Sequence, residues 1–216
     1  MVNYTADASG AWQAGKQGHV VVIVDIIDMS TTLEVALEAG ALAVFGASPD
    51  YVKVPHLVNP RQMGRVVGRI AGKLNTSIVI INEPRWGNNT ARLSNCQNLL
   101  QGLQSMGIYR WESIPNLGSE VGELINFQNK IAVAVTHSGG VAFDAAFQAG
   151  GKVITATIAR TKLQKGSRPA EIGVKRALLL AKKLRKNITF VAASGQSLED
   201  ILAAQYLAEL ALIKRK

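Results

Sequence analysis

Continuous apolar runs rich in Val and Ile, separated by segments of helical periodicity, dominate this sequence. Runs without polar–apolar alternation are typical of strands buried on both faces of a parallel sheet. We predict strands at 19–25, 42–46, 77–82, 130–136, 152–157 and 188–193, and helices at 31–39, 60–72, 90–105, 139–149, 169–186 and 197–213. This order predicts an α/β fold, a three-layer α/β/α arrangement with a largely parallel or mixed sheet.

The length and composition are those of one domain. A chain of 216 residues, 48% of them hydrophobic, can build a single core, and no internal repeat is apparent. We expect residues 1–18 to form a flexible or loosely packed N-terminal arm and residues 19–216 a single α/β domain. The lone cysteine, Cys96, rules out an intramolecular disulfide. No signal peptide or apolar run of about 20 residues is present, so we expect a soluble cytoplasmic protein without a membrane partner.

The net charge of +9 is concentrated in one segment, 152–186, which holds eleven Lys and Arg and a single acid, Glu171. In its helical part the cations gather in the last turn, where a solvated helix end favoured by the helix dipole is one explanation and an anion site is the other. The preceding loop, "ARTKLQKGSRP", has no acid. Arg160, Lys162 and Arg168 therefore predict a clamp for a phosphate or sulfonate, on a small molecule or on nucleic acid. The loop has no aromatic residue to stack on bases, which argues against nucleic acid.

Two aspartates follow the first predicted strand, where ligands of a parallel sheet bind. In "VDIIDMSTTLE", Asp25 ends the strand and Asp28 follows a turn later. The two carboxylates could share a hard cation such as Mg²⁺, and the helix N-terminus at Thr31 and Thr32 favours an anion. The alternative is that Asp25 only caps backbone groups and Asp28 only organises the turn.

Two further strand ends carry polar side chains. In "INEPRWGNNT", Glu83 could complete the metal site and Arg85 could pair with it or with an anionic substrate, although the segment also suits an ordinary turn. In "VTHSGG", Gly139 and Gly140 could let backbone N–H groups approach an anion, and His137 could act as an acid or base. A structural histidine is the alternative.

The opening motif resembles the signature of the 2-phosphosulfolactate phosphatase family. In that family a strand ends in Asp-Val-Leu-Arg-Ala-Thr-Thr-Thr and a helix runs to Gly-Ala; here the residues are "DIIDMSTTLEVALEAGA". Two later blocks, "NKIAVAVTHSGGVAFDAAFQAGGKVITATIAR" and "VAASGQSLEDILAAQYLAELAL", are similar to the family's strand-turn-helix and C-terminal segments. Together the blocks cover about half of the chain, whereas residues 47–115 match poorly.

The resemblance implies an α/β/α fold and a Mg²⁺-dependent phosphatase of coenzyme M biosynthesis. By position it matches Asp25, Thr31 and Thr32 to the family's aspartate and threonines. Together with the strand-end and charge patterns above, we expect catalytic roles for Asp25, Asp28 and His137 and metal ligation by Asp25, Asp28 and Glu83. We expect a substrate site at Thr31, Thr32, Arg85, Ser138, Gly139, Gly140, Arg160, Lys162 and Arg168. The departures fall on the chemistry: Asp28 stands where the family has arginine, Ser138 begins the segment that replaces its Asn-Gly-Thr, and Arg160 replaces asparagine.

Three functions are compatible with these patterns. The first is a Mg²⁺-dependent phosphatase or related hydrolase acting on a small phosphorylated or sulfonated hydroxy acid. The second is a non-catalytic homologue that binds an anionic metabolite or a protein partner. The third is a basic nucleic-acid-binding protein. The amphipathic C-terminal helix could serve a homodimer as readily as cover a sheet.

Overall fold

Strands alternate with helices along the chain, as seen in a computed structural model that describes residues 1–215. The strands are β1 (Val2–Ala6), β2 (Val20–Val24), β3 (Ala43–Ala47), β4 (Ile78–Asn82), β5 (Glu112–Pro115), β6 (Ile131–Val135), β7 (Lys152–Thr155) and β8 (Ile188–Ala192). The helices are α1 (Asp7–Lys16), α2 (Ser30–Glu38), α3 (Pro60–Leu74), α4 (Asn89–Ser94), α5 (Gln97–Gln104), α6 (Val121–Leu124), α7 (Gly139–Gln148), α8 (Arg168–Leu184) and α9 (Leu198–Lys214). A 3₁₀ turn, Gly118–Glu120, precedes α6.

The described strands form two parallel sheets of four strands each. Sheet A has the order β1-β8-β2-β7 and sheet B the order β3-β6-β4-β5. The predicted α/β class is confirmed, but the strands are divided between two sheets. The chain crosses between them twice in the same manner: β2 of sheet A leads through α2 to β3 of sheet B, and β6 of sheet B leads through α7 to β7 of sheet A.

The two halves of the chain repeat one topology. If each strand from β1 to β4 is exchanged with the strand four positions later, the order of sheet A becomes that of sheet B read from the other end. Each half therefore gives its second strand to the sheet that holds the other half's third and fourth strands. This repeat was not predicted, because it is a repeat of strand order that becomes apparent only when the pairing of the strands is known.

Sheet A is covered by helices on both faces. Val20, Val22 and Val24 of β2 pack with buried alanines of α8 and α9, which confirms that the C-terminal helix covers a sheet. Val21 and Ile23 point to the other face, because side chains alternate along a strand, and belong to the larger core that contains α1, α2, α7 and sheet B. No helix within residues 1–215 is long and apolar enough to cross a bilayer.

The N-terminal segment is ordered structure, so the predicted arm at residues 1–18 is wrong. β1 pairs in parallel with β8 at the edge of sheet A, and α1 packs against α7. The buried face of α1 consists of Gly10, Ala11, Ala14 and Gly15. A Cβ atom at Gly15 would lie 2.6 Å from the carbonyl oxygen of Ala146, so the contact requires glycine. A buried face of such small residues gives little hydrophobic periodicity.

The predicted helix at 90–105 is two helices, α4 and α5. The Asp50 carboxylate accepts hydrogen bonds from the backbone N–H groups of Gln97 and Asn98 at 2.6 and 3.0 Å, so it caps the start of α5. The Asp50 N–H in turn donates to the carbonyl oxygen of Asn95 at 2.9 Å. A contact from a distant loop thus interrupts a segment that is helical by local pattern.

Candidate functional site

Residues from three strand ends meet at one edge of the molecule. Asp25 and Asp28 follow β2, Glu83 and Arg85 follow β4, and His137 follows β6. Hydrogen bonds from Ser138 to Asp25 and from Arg85 to Asp28 join the carboxyl ends of sheets A and B, which therefore lie on the same side. We call the region formed by these five residues the strand-end cleft.

Asp25 is a buried carboxylate that joins the two sheets; it is 2% exposed. Its Oδ2 atom accepts hydrogen bonds from Ser138 Oγ at 2.8 Å and from the Gly139 N–H at 2.7 Å, and its Oδ1 atom accepts one from the Asp28 N–H at 2.9 Å. Gly139 is the first residue of α7, so the carboxylate caps that helix, as the capping alternative predicts. A Cβ atom at Gly139 would collide with the Asp25 side chain.

The N-terminus of α7 is occupied by protein oxygens. While the Gly139 N–H donates to Asp25, the Gly140 N–H donates to Thr136 Oγ1 at 2.8 Å. The Ser138 hydroxyl group also donates a hydrogen bond to Asp25. Both glycine N–H groups that the sequence analysis assigned to a substrate anion therefore hold the protein's own oxygens in this structure.

Asp28 forms an ion pair at the cleft surface. An Nη atom of Arg85 lies 2.9 Å from Asp28 Oδ1, and both side chains are more than one third exposed. Burial and the charge of Asp25 raise the pKa of Asp28, against the lowering effect of Arg85. Arg85 thus pairs with Asp28 and not with Glu83, the protein partner that was predicted for it.

Two more carboxyl groups in this region, Glu83 and Asp200, have raised pKa values, as Asp28 does. Burial, followed by the charge of Asp28, raises the pKa of Glu83. Burial raises the pKa of Asp200, in the first turn of α9, to about 6, and its Oδ1 atom accepts a hydrogen bond from the Ile26 N–H at 2.8 Å. Several carboxyl groups with raised pKa values in one place mark a candidate functional site. The sequence analysis missed Asp200, whose segment "SLED" indicates only a helix start.

The threonines of α2 are part of the buried framework. Thr32 Oγ1 donates to Asn116 Oδ1 at 2.6 Å, and Asn116 Nδ2 donates to the carbonyl oxygen of Asp28 at 2.7 Å. Thr31 Oγ1 lies 2.8 Å from Thr157 Oγ1. All three of Thr31, Thr32 and Asn116 are buried, so their hydroxyl and amide groups shape the Asp28 turn. Asn116 was not singled out, because only the pairing of β5 with β4 brings it here.

The basic loop after β7 lies away from the cleft. Thr161 Oγ1 donates to Glu38 Oε1 at 2.7 Å, and Lys162 Nζ lies 3.7 Å from a Glu123 oxygen. Glu38 is the last residue of α2, about 12 Å along the helix from the first turn beside Asp25. Thr161 and Lys162 therefore lie toward the far end of α2, and within residues 1–215 no hydrogen bond or ion pair joins Arg160, Lys162 or Arg168 to the acids of the strand-end cleft.

No group of three or more His, Cys, Asp and Glu side chains within residues 1–215 is arranged to hold a metal ion. Of the predicted ligands, Asp25 accepts three hydrogen bonds from protein donors and Asp28 Oδ1 is paired with Arg85. Within residues 1–215, no hydrogen-bond donor contacts Asp28 Oδ2 or the Glu83 carboxylate. Mg²⁺ commonly binds through one or two carboxylates together with substrate phosphate and water. The residues fit that arrangement and not a closed three-carboxylate site.

The likeness to 2-phosphosulfolactate phosphatases concerns short motifs at strand ends. Comparison with protein-family models, curated proteins and solved structures finds no match to this chain. The family resemblance therefore stands as a prediction from sequence motifs.

Proposed function

We propose that this chain is a Mg²⁺-dependent hydrolase of small phosphorylated or sulfonated hydroxy acids, similar in activity to 2-phosphosulfolactate phosphatases, with its reaction centre in the strand-end cleft. One observation carries the proposal. Asp25, Asp28 and Glu83 crowd together closely enough that, after burial, the charge of Asp25 raises the pKa of Asp28 and the charge of Asp28 raises that of Glu83. Such repulsion is relieved when a cation binds.

The charge balance of the cleft argues for a metal ion with the substrate. The carboxylates outnumber the guanidinium of Arg85, so an anionic substrate alone would meet repulsion. Asp28 and Glu83 would hold Mg²⁺, which when bound supplies positive charge to the phosphoryl oxygens. Arg85, 39% exposed, is available to donate hydrogen bonds to the same anion.

The other residues of the cleft have separate roles in this proposal. His137 is exposed on the loop after β6. Its charge lowers the pKa values of both Asp28 and Glu83, so the imidazole ring lies close to both carboxyl groups. We assign it the transfer of a proton to the leaving oxygen. Asp25 is a positioning residue, since it holds the N-terminus of α7 and Ser138 beside the cleft.

The test is phosphate release from a panel of phosphorylated hydroxy acids, phosphosulfolactate included, with and without Mg²⁺. We expect Asp28→Asn and Glu83→Gln each to lower kcat by about 100-fold or more, because each removes a charge that the bound cation needs. Glu120→Gln, which removes an exposed acid without an ion pair in the described chain, is the matched control and should leave kcat unchanged. Absence of phosphate release across the panel would overturn the proposal.

A second candidate is a non-catalytic protein that binds an anionic metabolite at the same cleft. The observation that favours it is that the Asp25 carboxylate already accepts three hydrogen bonds from the protein, two at the start of α7 and one from the Asp28 N–H. The melting temperature would be followed with the same panel and Mg²⁺. A shift without phosphate release supports binding alone, whereas an unshifted melt throughout contradicts both candidates.

A further inference from the structure

A cavity with a basic lining lies at the edge of sheet A opposite the strand-end cleft. It has a volume of about 560 Å³ and lies between the C-terminal ends of α8 and α9 and the start of β8. Its apolar walls include Leu178, Leu179, Ala181 and Ile188. Its charged lining, which we call the basic cluster, consists of Lys182, Arg185, Lys186, Lys214 and Arg215.

The charge of the basic cluster is largely uncompensated. No Asp or Glu lines the cavity, and among the five cations only Lys214 has an ion pair in the described chain, to Glu171 at 3.8 Å. The positive potential reaches the sheet: burial, then the terminal amine and Lys186, lower the pKa of the buried His19. Cations that cluster without neighbouring acids repel one another, and a bound anion would relieve this repulsion.

The repeat of the fold provides an internal control for the usual explanation of such cations. α3 and α8 are counterparts, and both end at a residue in the left-handed conformation, Asn75 with φ 48° and Arg185 with φ 54°. Asparagine suits that conformation, whereas arginine is disfavoured there. α3 ends in "AGKLNTS" and α8 in "AKKLRKN". Since α3 makes the same helix end without the cluster, helix capping does not account for it.

An apolar groove continues from the cavity along the outer face of α8. Ile172 and Leu179 line it and are 41% and 59% exposed, and Lys175 and Lys183 stand at its sides. A second copy of this chain is a poor occupant of the groove, because two surfaces of the same strong positive charge would face each other. An anionic ligand with an apolar portion matches both the cations and the groove.

We propose that the cavity between α8 and α9 binds a phosphate-bearing amphiphile, with the phosphate held by Lys182, Arg185 and Lys186 and the apolar portion lying along Leu178 and Leu179. Arginine offers paired donors that match phosphate oxygens, and the neighbouring lysines add charge. The phosphate could belong to a soluble ester or to a lipid headgroup, which share this chemistry. The site is at the opposite edge from the strand-end cleft and does not depend on the function proposed there.

The test compares two variants of equal charge by titration calorimetry with inorganic pyrophosphate. Arg185→Asn combined with Lys186→Thr copies the residues Asn75 and Thr76 of the counterpart helix, so the helix end keeps its backbone conformation. We expect this variant to bind pyrophosphate about tenfold more weakly or worse. The control, Arg65→Gln combined with Arg69→Gln, removes two exposed cations from α3 and should change the affinity by less than about twofold.

Vesicles distinguish the two sources of phosphate. Sedimentation would be measured with phosphatidylcholine vesicles, with and without phosphatidylglycerol. If the protein binds pyrophosphate and the first variant does not, the ligand is a soluble ester. If the protein sediments selectively with the anionic vesicles and the first variant does not, the ligand is a lipid headgroup. Each result supports the proposal. Absence of both kinds of binding, or equal weakening in the α3 control, overturns it. Lys182→Gln serves as a second variant if the first does not fold.

Discussion

Replacing Asp25 with asparagine tests whether this carboxylate holds the two sheets together. The side chain keeps its shape but loses its charge and one acceptor oxygen. Asp25 accepts hydrogen bonds from Ser138 and Gly139 on Oδ2 and from Asp28 on Oδ1, so an amide can satisfy only one of these sides. We expect a large loss of stability at a position where the chemical change is small.

The magnitude follows from the three contacts. If the amide oxygen faces α7, the hydrogen bonds from Ser138 and Gly139 lose their charge assistance, which costs about 1 kcal/mol each. The amide nitrogen then faces the Asp28 N–H, and that partly buried donor without an acceptor costs about 1–2 kcal/mol. The free energy of unfolding should fall by about 3–4 kcal/mol in total.

Urea unfolding followed by circular dichroism measures this loss. Asp50→Asn is the matched control, because Asp50 also accepts two backbone hydrogen bonds at a helix start but is only partly buried, so that water can replace it. We expect the control to cost about 1 kcal/mol. If Asp25→Asn costs no more than the control, the account of Asp25 as the link between the sheets is wrong.

Three further perturbations test the packing and electrostatics. Arg176→Met should lower the free energy of unfolding by about 3 kcal/mol in urea, because it leaves Glu34, whose side chain is 8% exposed, without its cation. The pKa of Asp200 is raised in the folded state to about 6, so the folded protein holds a proton that the unfolded chain releases. The wild type should therefore lose stability relative to Asp200→Asn as the pH rises from 4 through 6. The urea midpoints of both proteins, taken at each pH, measure this loss, and a difference in midpoint that does not change with pH contradicts it. On α3, a Cβ atom at Gly64 would meet the Leu99 backbone, whereas nothing lies within 4 Å of one at Gly72. In thermal melts, Gly64→Ala should lower the free energy of unfolding by about 2 kcal/mol or more, and Gly72→Ala should raise it by about 0.5–1 kcal/mol. Equal effects would refute the close contact between Gly64 and Leu99.

The six predicted strands all exist, with ends within two residues of the prediction, because each contains an apolar run; β2, β4, β6 and β8 are buried throughout. The two strands that were missed lie at the sheet edges. β1, "VNYTA", carries polar and exposed positions, and β5, "ESIP", is only four residues long. The other two edge strands, β3 and β7, were predicted because each keeps an apolar run, so the missing apolar run of β1 and β5, and not their edge position alone, accounts for the omission.

The candidate site was predictable in position but not in its contacts. The rule that ligands bind at the carboxyl ends of parallel strands correctly brings Asp25, Glu83 and His137 to one edge. The Arg160 loop satisfies the same rule but folds along α2 toward Glu38, because Thr161 bonds there. Local sequence contains no information on such a partner.

Local pattern was sufficient to define the six apolar strands and the helices that follow them, apart from the break between α4 and α5, since periodicity is a property of neighbouring residues. The division into two intertwined sheets required the whole fold, because an apolar run specifies that a strand is buried but not which strand lies beside it. The role of Asp25 was settled in the same way. Its partner Gly139 is 114 residues away, and only the crossing of the chain between the sheets brings the carboxylate to the N-terminus of α7.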